Sequence, residues 1–148
     1  MKIVTPMMVA LALVIVAAVS YAAGSNQKAS TIVRARDLKW APQAPGLPQQ
    51  LTTLWGDRSR GASGVLIKLP PGFDSGLHAH TGDYHGVLVS GTWIHVDESG
   101  AGANVELSPG SYVMQPGKGM HIDRCKQGAE CILFIYQREK ADVIFPRK

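Results

Sequence analysis

The sequence predicts an all-β sandwich or barrel from residue 51 onward. Short segments rich in β-branched and aromatic residues recur there, and Pro-Gly, Ser-Gly and other glycine-containing turns separate them. The segments are VLIKL, YHGVLVS, TWIHV, ANVEL, SYVMQ and CILFIYQ. No stretch after the N-terminal apolar run shows a convincing helical period. Short strands joined by turns, without helices between them, are typical of antiparallel β proteins.

The first 22 residues have the composition of a secretory signal peptide. A single lysine near the start precedes a long apolar run, and the small-x-small sequence Ser20-Tyr21-Ala22 follows it. We therefore expect cleavage after Ala22 and an exported, periplasmic protein. An uncleaved membrane anchor is the competing interpretation, because the apolar run is nearly long enough to span a bilayer.

The rest of the chain divides by composition into two parts. Residues 23–50 hold many Gln, Ser, Pro and Gly residues, which predicts an extended N-terminal arm. Residues 51–148 have the length of one β domain. The net charge is +4 without any block of Lys or Arg, so nucleic acid is not expected as a partner. Phosphate-binding loops, GxSxG motifs and tandem CxxC pairs are also absent from the sequence.

Two cysteines, Cys125 and Cys131, lie close together near the C-terminus. In an exported chain such a pair is expected to form a disulfide bond, and the intervening KQGAE has the composition of a hairpin loop. The alternative interpretation is a thiol at a metal site or a reactive site.

Three of the five histidines lie in one stretch, HAHTGDYHG, at residues 78–86. On a strand, the side chains of His78 and His80 point to the same face because the side-chain period is two. A turn at 81–83 would return a third ligand to the same end of a barrel, and His121 follows a Pro-Gly turn later in the chain. Imidazole is the commonest metal ligand, so the cluster predicts a divalent metal site.

These spacings resemble the motifs of the cupin superfamily. The first motif, G-x5-H-x-H-x(3,4)-E-x6-G, is matched at Gly72, His78, His80 and Gly91. The second, G-x5-P-x-G-x2-H-x3-N, is matched at Gly110, Pro116 and His121. The phrases WGD, YHGVLVSGTW, LSPGSYVMQPG and CILFIYQ further resemble the small single-domain DUF4437 type, a domain of unknown function. The resemblance implies a cupin-type double-stranded β-helix, that is, a jelly-roll barrel.

The chain departs from the first motif at the family's glutamate ligand. A three-residue gap after His80 gives Tyr84 at this position, and a four-residue gap gives His85. We expect His85 to be the ligand, because a phenol must lose a proton with a pKa of about 10 before it binds a metal strongly. Asp83 is a third candidate, which would restore a carboxylate if the turn directs it inward. The predicted metal ligands are therefore His78, His80, His85 and His121.

The second motif departs from the family pattern at Lys118, where glycine is usual, and at Cys125, where asparagine is usual. Tyr84 and Lys118 are the residues we expect to serve as catalytic proton or charge partners near the metal. His95, in the segment TWIHV, is expected to be an ordinary surface or hydrogen-bonded core residue.

The resemblance implies two classes of function. The first is a metal-dependent enzyme of the dioxygenase, isomerase or lyase type that acts on a small organic molecule, with iron, zinc, manganese, nickel or copper as the metal. The alternative is a non-catalytic module that binds or senses a small ligand or metal. An exchangeable coordination position is the feature that separates the two. Whether the chain also pairs into a homodimer stays open.

Overall fold

The computed structural model describes residues 28–147, and the predicted signal segment lies outside them. The chain divides into two compact units, and the second, Val33–Lys148, carries all the strands of the described residues. A short 3-10 helix, Ala35–Asp37, comes first. The strands are β1 (Ala41–Pro42), β2 (Gln50–Gly56), β3 (Ser63–Leu69), β4 (Tyr84–Ser90), β5 (Trp93–Asp97), β6 (Tyr112–Gln115), β7 (His121–Cys125) and β8 (Cys131–Gln137). Among residues 28–147, no helix is long and apolar enough to cross a membrane.

The strands form two antiparallel sheets. Six strands make the larger sheet in the order β1-β2-β3-β8-β4-β6, and β5 pairs with β7 in the smaller one. Single backbone bridges from Asp74 to Arg124 and from His78 to His121 extend the smaller sheet beyond β7. Residues from both sheets form one hydrophobic core. The all-β jelly-roll barrel predicted from the sequence is therefore confirmed.

Strand β8 shows why these segments form strands. Its side chains alternate strictly between buried and half-buried positions. Cys131, Leu133 and Ile135 face the core, which is the period-two pattern of a strand with one side against the interior. Burial of each large aliphatic side chain stabilises the fold by about 1.5–3 kcal/mol, so a one-residue slip of register would be costly.

The inward-facing residues change from apolar to polar along the barrel. On β7 the inward series runs from Cys125 through Asp123 to His121, and on β5 it runs from Trp93 to His95. The two strands are in register, with Trp93 opposite Cys125 and His95 opposite Asp123. One end of the barrel is therefore apolar, whereas the other end gathers titratable side chains.

Trp93 is the largest fully buried side chain of the core. Its ring fits beside β4 because residue 86 is a glycine. A Cβ added to Gly86 would lie 3.0 Å from the Trp93 ring and 3.1 Å from the Ile135 side chain. The glycine therefore lets the indole reach the centre of the barrel.

The disulfide between Cys125 and Cys131 is present, with a Cα–Cα distance of 5.8 Å, which confirms that prediction. The prediction of a hairpin around it is wrong. Cys125 ends β7 in the smaller sheet and Cys131 begins β8 in the larger sheet. The bond therefore joins the two sheets at the apolar end of the barrel.

The predicted arm makes contact with the barrel over its last part. Ala41 and Pro42 of β1 pair with Leu51 and Gln50 of β2, at the edge of the larger sheet. The amide of Gln43 also donates to the carbonyl oxygen of Gln49 at 3.0 Å. These bonds hold residues 43–49 in place as a loop at the sheet edge.

Replacement of both cysteines by alanine is expected to lower the free energy of unfolding by about 2 kcal/mol, because the disulfide closes a short loop in the unfolded chain. Urea unfolding of the oxidised protein and of the Cys125→Ala, Cys131→Ala variant measures the difference. The reduced wild type serves as the control and should resemble the variant. Equal stability of all three samples would show that the bond does not stabilise the barrel.

Candidate metal centre

Three histidines converge at the polar end of the barrel. His78, His80 and His121 each offer one ring nitrogen, and these nitrogens all lie within 4.8 Å of one another. The backbones of His78 and His121 bond to each other in both directions, with N–O distances of 2.9 and 2.8 Å. The carbonyl oxygen of His80 accepts from the amide of Lys118 at 2.7 Å. The cluster is thus built by backbone pairing of two segments, 78–80 and 118–121.

Each of these histidines uses its Nδ1 atom for a hydrogen bond to a backbone carbonyl. The accepting residues are Gly76 for His78, Asp142 for His80 and Gly119 for His121. A carbonyl oxygen can only accept, so each Nδ1 must carry the proton. In the neutral ring the lone pair then lies on Nε2. The bonds therefore direct three unprotonated nitrogens toward one point, as in the supporting shell of known metal sites.

The Nε2 atom of His121 is buried and has no hydrogen-bond partner. His121 is itself fully buried, and the Oδ2 atom of Asp123 lies 3.5 Å from this nitrogen. An unpartnered buried nitrogen is costly in a folded protein. The donor set fits a divalent transition metal, since a bound ion would satisfy this nitrogen together with those of His78 and His80.

Burial also keeps the cluster in the form that binds metals. Removal from water lowers the pKa of both His78 and His80, against the opposing effect of their carbonyl partners. These rings are therefore neutral at pH 7. A neutral imidazole with a fixed tautomer is the form that can act as a ligand.

Asp123 is a site residue that the sequence analysis did not identify. Its Oδ1 atom accepts from Trp93 Nε1 and from His95 Nδ1, both at 2.9 Å. Its Oδ2 atom lies 3.5 Å from His121 Nε2 and 3.9 Å from His78 Nε2. One oxygen is thus held by the core, and the other faces the histidine cluster. The alternation in His121-Ile122-Asp123 was the sequence signal, because it places Asp123 on the same face as His121.

Asp123 is charged in spite of its surroundings. Burial alone would raise its pKa, but the facing ring of His121 and the hydrogen bond and charge of His95 lower the pKa well below the usual range. It therefore stands as a carboxylate beside the three imidazoles. It provides the acidic group that the sequence lacks at the family's glutamate position.

His95 holds this carboxylate in place. Its Nδ1 atom donates to Asp123, and its Nε2 atom lies 3.0 Å from Gln115 Oε1. The amide nitrogen of Gln115 already donates to the carbonyls of Gly119 and Pro116, so its oxygen must face His95. Both ring nitrogens of His95 therefore face acceptors, which favours the imidazolium. Burial would lower the pKa of His95, but the bond to Asp123 outweighs it and raises the pKa.

Tyr84 lies beside the cluster as a neutral phenol. It is 3% exposed, and its hydroxyl lies 3.4 Å from Asp123 Oδ2. Burial and the charge of Asp123 raise the pKa of Tyr84 well above its ordinary value. A phenol that keeps its proton is a hydrogen-bond donor and a weak metal ligand.

The structure does not bring His85 into the cluster, which corrects its assignment as a metal ligand. Strand β4 directs Tyr84 inward, so its neighbour His85 points to the opposite face. There its Nδ1 lies 2.7 Å from the hydroxyl of Tyr112, and its ring stacks between Tyr112 and Tyr136. The histidine is an outer-surface residue of the barrel.

Lys118 and Asp83 shape the turns around the cluster and are not part of it. Lys118 is exposed, with a φ of 66° in the left-handed region where glycine is usual, and it does not line the cavity beside the cluster. Its contribution is the backbone bond to His80, which corrects its assignment as a catalytic residue. Asp83 accepts from the amide of Gly117 at 2.7 Å and links two turns.

A cavity of about 700 Å³ opens beside the histidines. Its wall includes His78, His80, Tyr84 and Asp123, whereas His121 is buried behind them. Apolar side chains supply most of the remaining wall, including Leu47, Ile67, Phe73, Leu133, Val143 and Phe145. A space of this size and character accommodates a small organic molecule.

The variant His95→Gln is expected to lower the free energy of unfolding of the metal-free protein by about 3 kcal/mol at pH 6, because Asp123 loses its charged partner. Because folding raises the pKa of His95, the stabilisation by the His95–Asp123 pair is complete below pH 6.5. It is lost as the pH rises through the raised pKa. Urea unfolding at several pH values should show the deficit narrowing toward alkaline pH.

The control is His85→Gln, which removes an outward-facing histidine and should cost about 1 kcal/mol or less. An equal loss in both variants, with no dependence on pH, would contradict the His95–Asp123 ion pair.

Solved structures of other proteins share this fold. An RmlC-like cupin protein from Ralstonia eutropha is 22% identical, with a TM-score of 0.61 over 79% of this chain and 78% of that chain. The polyketide cyclase RemF from Streptomyces resistomycificus is 17% identical, with a TM-score of 0.63 over 81% and 89%. The DMSP lyase DddQ from Ruegeria pomeroyi is 16% identical, with a TM-score of 0.60 over 73% and 60%. At these identities the likeness shows the cupin fold, and the neighbours include enzymes.

No curated protein matches the sequence. The model of the family described as a domain of unknown function, DUF4437, matches residues 31–144. This match covers most of the chain and includes all three clustered histidines. The chain therefore belongs to the DUF4437 family, and its fold is that of the cupin superfamily.

Proposed function

We propose that this protein binds one divalent metal ion and acts on a small organic molecule in the adjacent cavity. The proposed ligands are the Nε2 atoms of His78, His80 and His121, with the Oδ2 atom of Asp123 as an acidic fourth donor. The observation that supports the proposal is the set of three Nδ1 bonds to backbone carbonyls. Such bonds orient imidazoles for metal binding.

The donor set suits several metals. Imidazole together with carboxylate binds iron, zinc, manganese, nickel and copper, and the choice among them depends on geometry and availability. A bound metal of this kind would supply Lewis-acid or oxygen chemistry to a ligand in the cavity. The charge of Asp123 would offset part of the charge of the ion in a site where water is scarce.

Tyr84 is the residue that we propose as the proton or hydrogen-bond donor to the substrate. It lines the cavity and keeps its proton, and its hydroxyl lies within 3.4 Å of Asp123. A substrate oxygen beside the metal ligands can therefore receive a hydrogen bond from the phenol. The apolar wall excludes water from this contact, which strengthens it.

A second candidate function is a module that binds a ligand without turnover. The observation that favours it is the fourth donor, Asp123, because four protein ligands can close a zinc site. An ion that accepts a larger coordination shell would still keep a position for substrate. An exchangeable water on the bound metal distinguishes the enzyme from the binding module.

Titration of the metal-free protein with Co²⁺, followed by visible absorption and competed with Zn²⁺, is expected to show one equivalent of binding. The variant His80→Gln should lose about 100-fold in affinity, and Asp123→Asn should lose about tenfold, since each removes a donor or its charge. Tyr84→Phe should bind as the wild type does, because a neutral phenol contributes no ligand.

The matched control is His85→Gln, which changes a histidine of the same stretch on the opposite face of β4. Its affinity should equal that of the wild type. Equal losses in His80→Gln and His85→Gln, or no saturable binding by the wild type, would contradict the proposed site. Urea unfolding of each variant verifies that a lost affinity does not reflect a lost fold.

A further inference from the structure

Arg58 lines the cavity without a charged partner. It follows β2, and among the described residues no carboxylate oxygen lies within 4.0 Å of its guanidinium nitrogens. Its Nε atom is buried and has no hydrogen-bond partner. Arg60, two residues later, differs on every point, since its side chain is 86% exposed and lies 3.3 Å from Asp57.

The other charged groups on the cavity wall have partners. Asp74 bonds to Arg124 at 2.7 Å, and Asp142 accepts from the amide of Thr81 at 2.8 Å. Asp123 is held by His95, as described above. Among the described residues that line the cavity, Arg58 is the only lysine or arginine, and Asp142 is held by Thr81 without a cation beside it. Burial lowers the pKa of Arg58, but the guanidinium remains a cation at neutral pH.

A second unpartnered polar atom lies on the same wall. The Oε1 atom of Gln49 is buried and accepts no hydrogen bond. Unsatisfied buried donors and acceptors are costly, and they are rare unless something outside the chain satisfies them. The cavity wall therefore holds one cationic donor and one neutral acceptor that no group of the described residues satisfies.

The chain couples this part of the wall to the histidine cluster. The amide of Ala141 donates to the carbonyl of Arg58 at 2.7 Å, and the carbonyl of the next residue, Asp142, accepts from His80 Nδ1. The two residues 141–142 thus bond both to the Arg58 backbone and to a candidate metal ligand. Arg58, His78 and His80 also line the same cavity, so a ligand that fills it contacts Arg58 and two of the candidate metal ligands.

We propose that Arg58 binds the carboxylate of a small organic acid whose opposite end reaches the histidine cluster. This inference rests on the proposed function for its identification of the ligand as a substrate. A single guanidinium in a mostly apolar cavity matches a monoanionic carboxylate, whereas a phosphate dianion requires more positive charge. The apolar wall matches the carbon chain of the acid.

The test is calorimetric titration of the purified protein with hexanoate and with the neutral hexanamide, in metal-free and Zn²⁺-loaded forms. Hexanoate should bind at least about tenfold more tightly than hexanamide, as expected for a charge-assisted pair out of water. Arg58→Gln should abolish this preference, and Arg58→Lys should keep part of it. The matched control Arg60→Gln should behave as the wild type.

Urea unfolding separates a binding role from a structural one. An arginine without partners contributes little to the fold, so Arg58→Gln should be as stable as the wild type. Equal affinity for hexanoate and hexanamide, no binding of hexanoate, or full hexanoate binding by Arg58→Gln would overturn the inference.

The outcomes for the two proposals are distinguishable. Hexanoate binding that depends on Arg58 in a protein that binds no metal would uphold the carboxylate site and refute the proposed metal-dependent function. Metal binding at the histidines together with hexanoate binding that is indifferent to Arg58 would do the reverse.

Discussion

The proposed metal site of this barrel depends on three hydrogen bonds from histidine Nδ1 atoms to backbone carbonyls. They leave the Nε2 atoms of His78, His80 and His121 unprotonated and pointed at one another. Side chains cannot hold that arrangement alone, because the three carbonyls come from three separate loops. The backbone bridges between His78 and His121 and between Ala79 and Ile144, together with the bond from Lys118 to His80, bring those loops together. The jelly-roll fold allows all of these backbone hydrogen bonds to form at the same time.

The hydrophobic core and the candidate site meet at one residue pair. Trp93 is fully buried, and its indole N–H needs an acceptor, which Asp123 provides. The same carboxylate oxygen accepts from His95, so the other oxygen is left to face the cluster. Packing at the apolar end, where the disulfide joins the two sheets, is thereby coupled to the orientation of the acid at the polar end. A carboxylate fixed in this way loses little freedom when it binds a metal.

Local patterns predicted the parts of the site that depend on local geometry. The spacing of His78 and His80 predicted that both side chains belong to the site, because residues two apart on an extended segment share a face. The same period places His85 on the face opposite Tyr84, whereas the prediction of His85 as a ligand depends on imidazole being a better neutral ligand than phenol. The position of Asp123 beside the cluster could be predicted in the same way, because it lies two residues after His121 on one strand. The role of His95 depends on the cross-strand register of β5 with β7, which no local pattern contains.

The state of the ring nitrogens is the most direct test of this account. Long-range ¹H–¹⁵N NMR spectra of the metal-free, ¹⁵N-labelled protein at neutral pH report which nitrogen of each histidine carries the proton. We expect the Nδ1–H tautomer for His78, His80 and His121, and protons on both nitrogens of His95. The Nε2–H tautomer in the three clustered histidines would contradict the account, because their lone pairs would then point away from one another and no metal centre would be prepared.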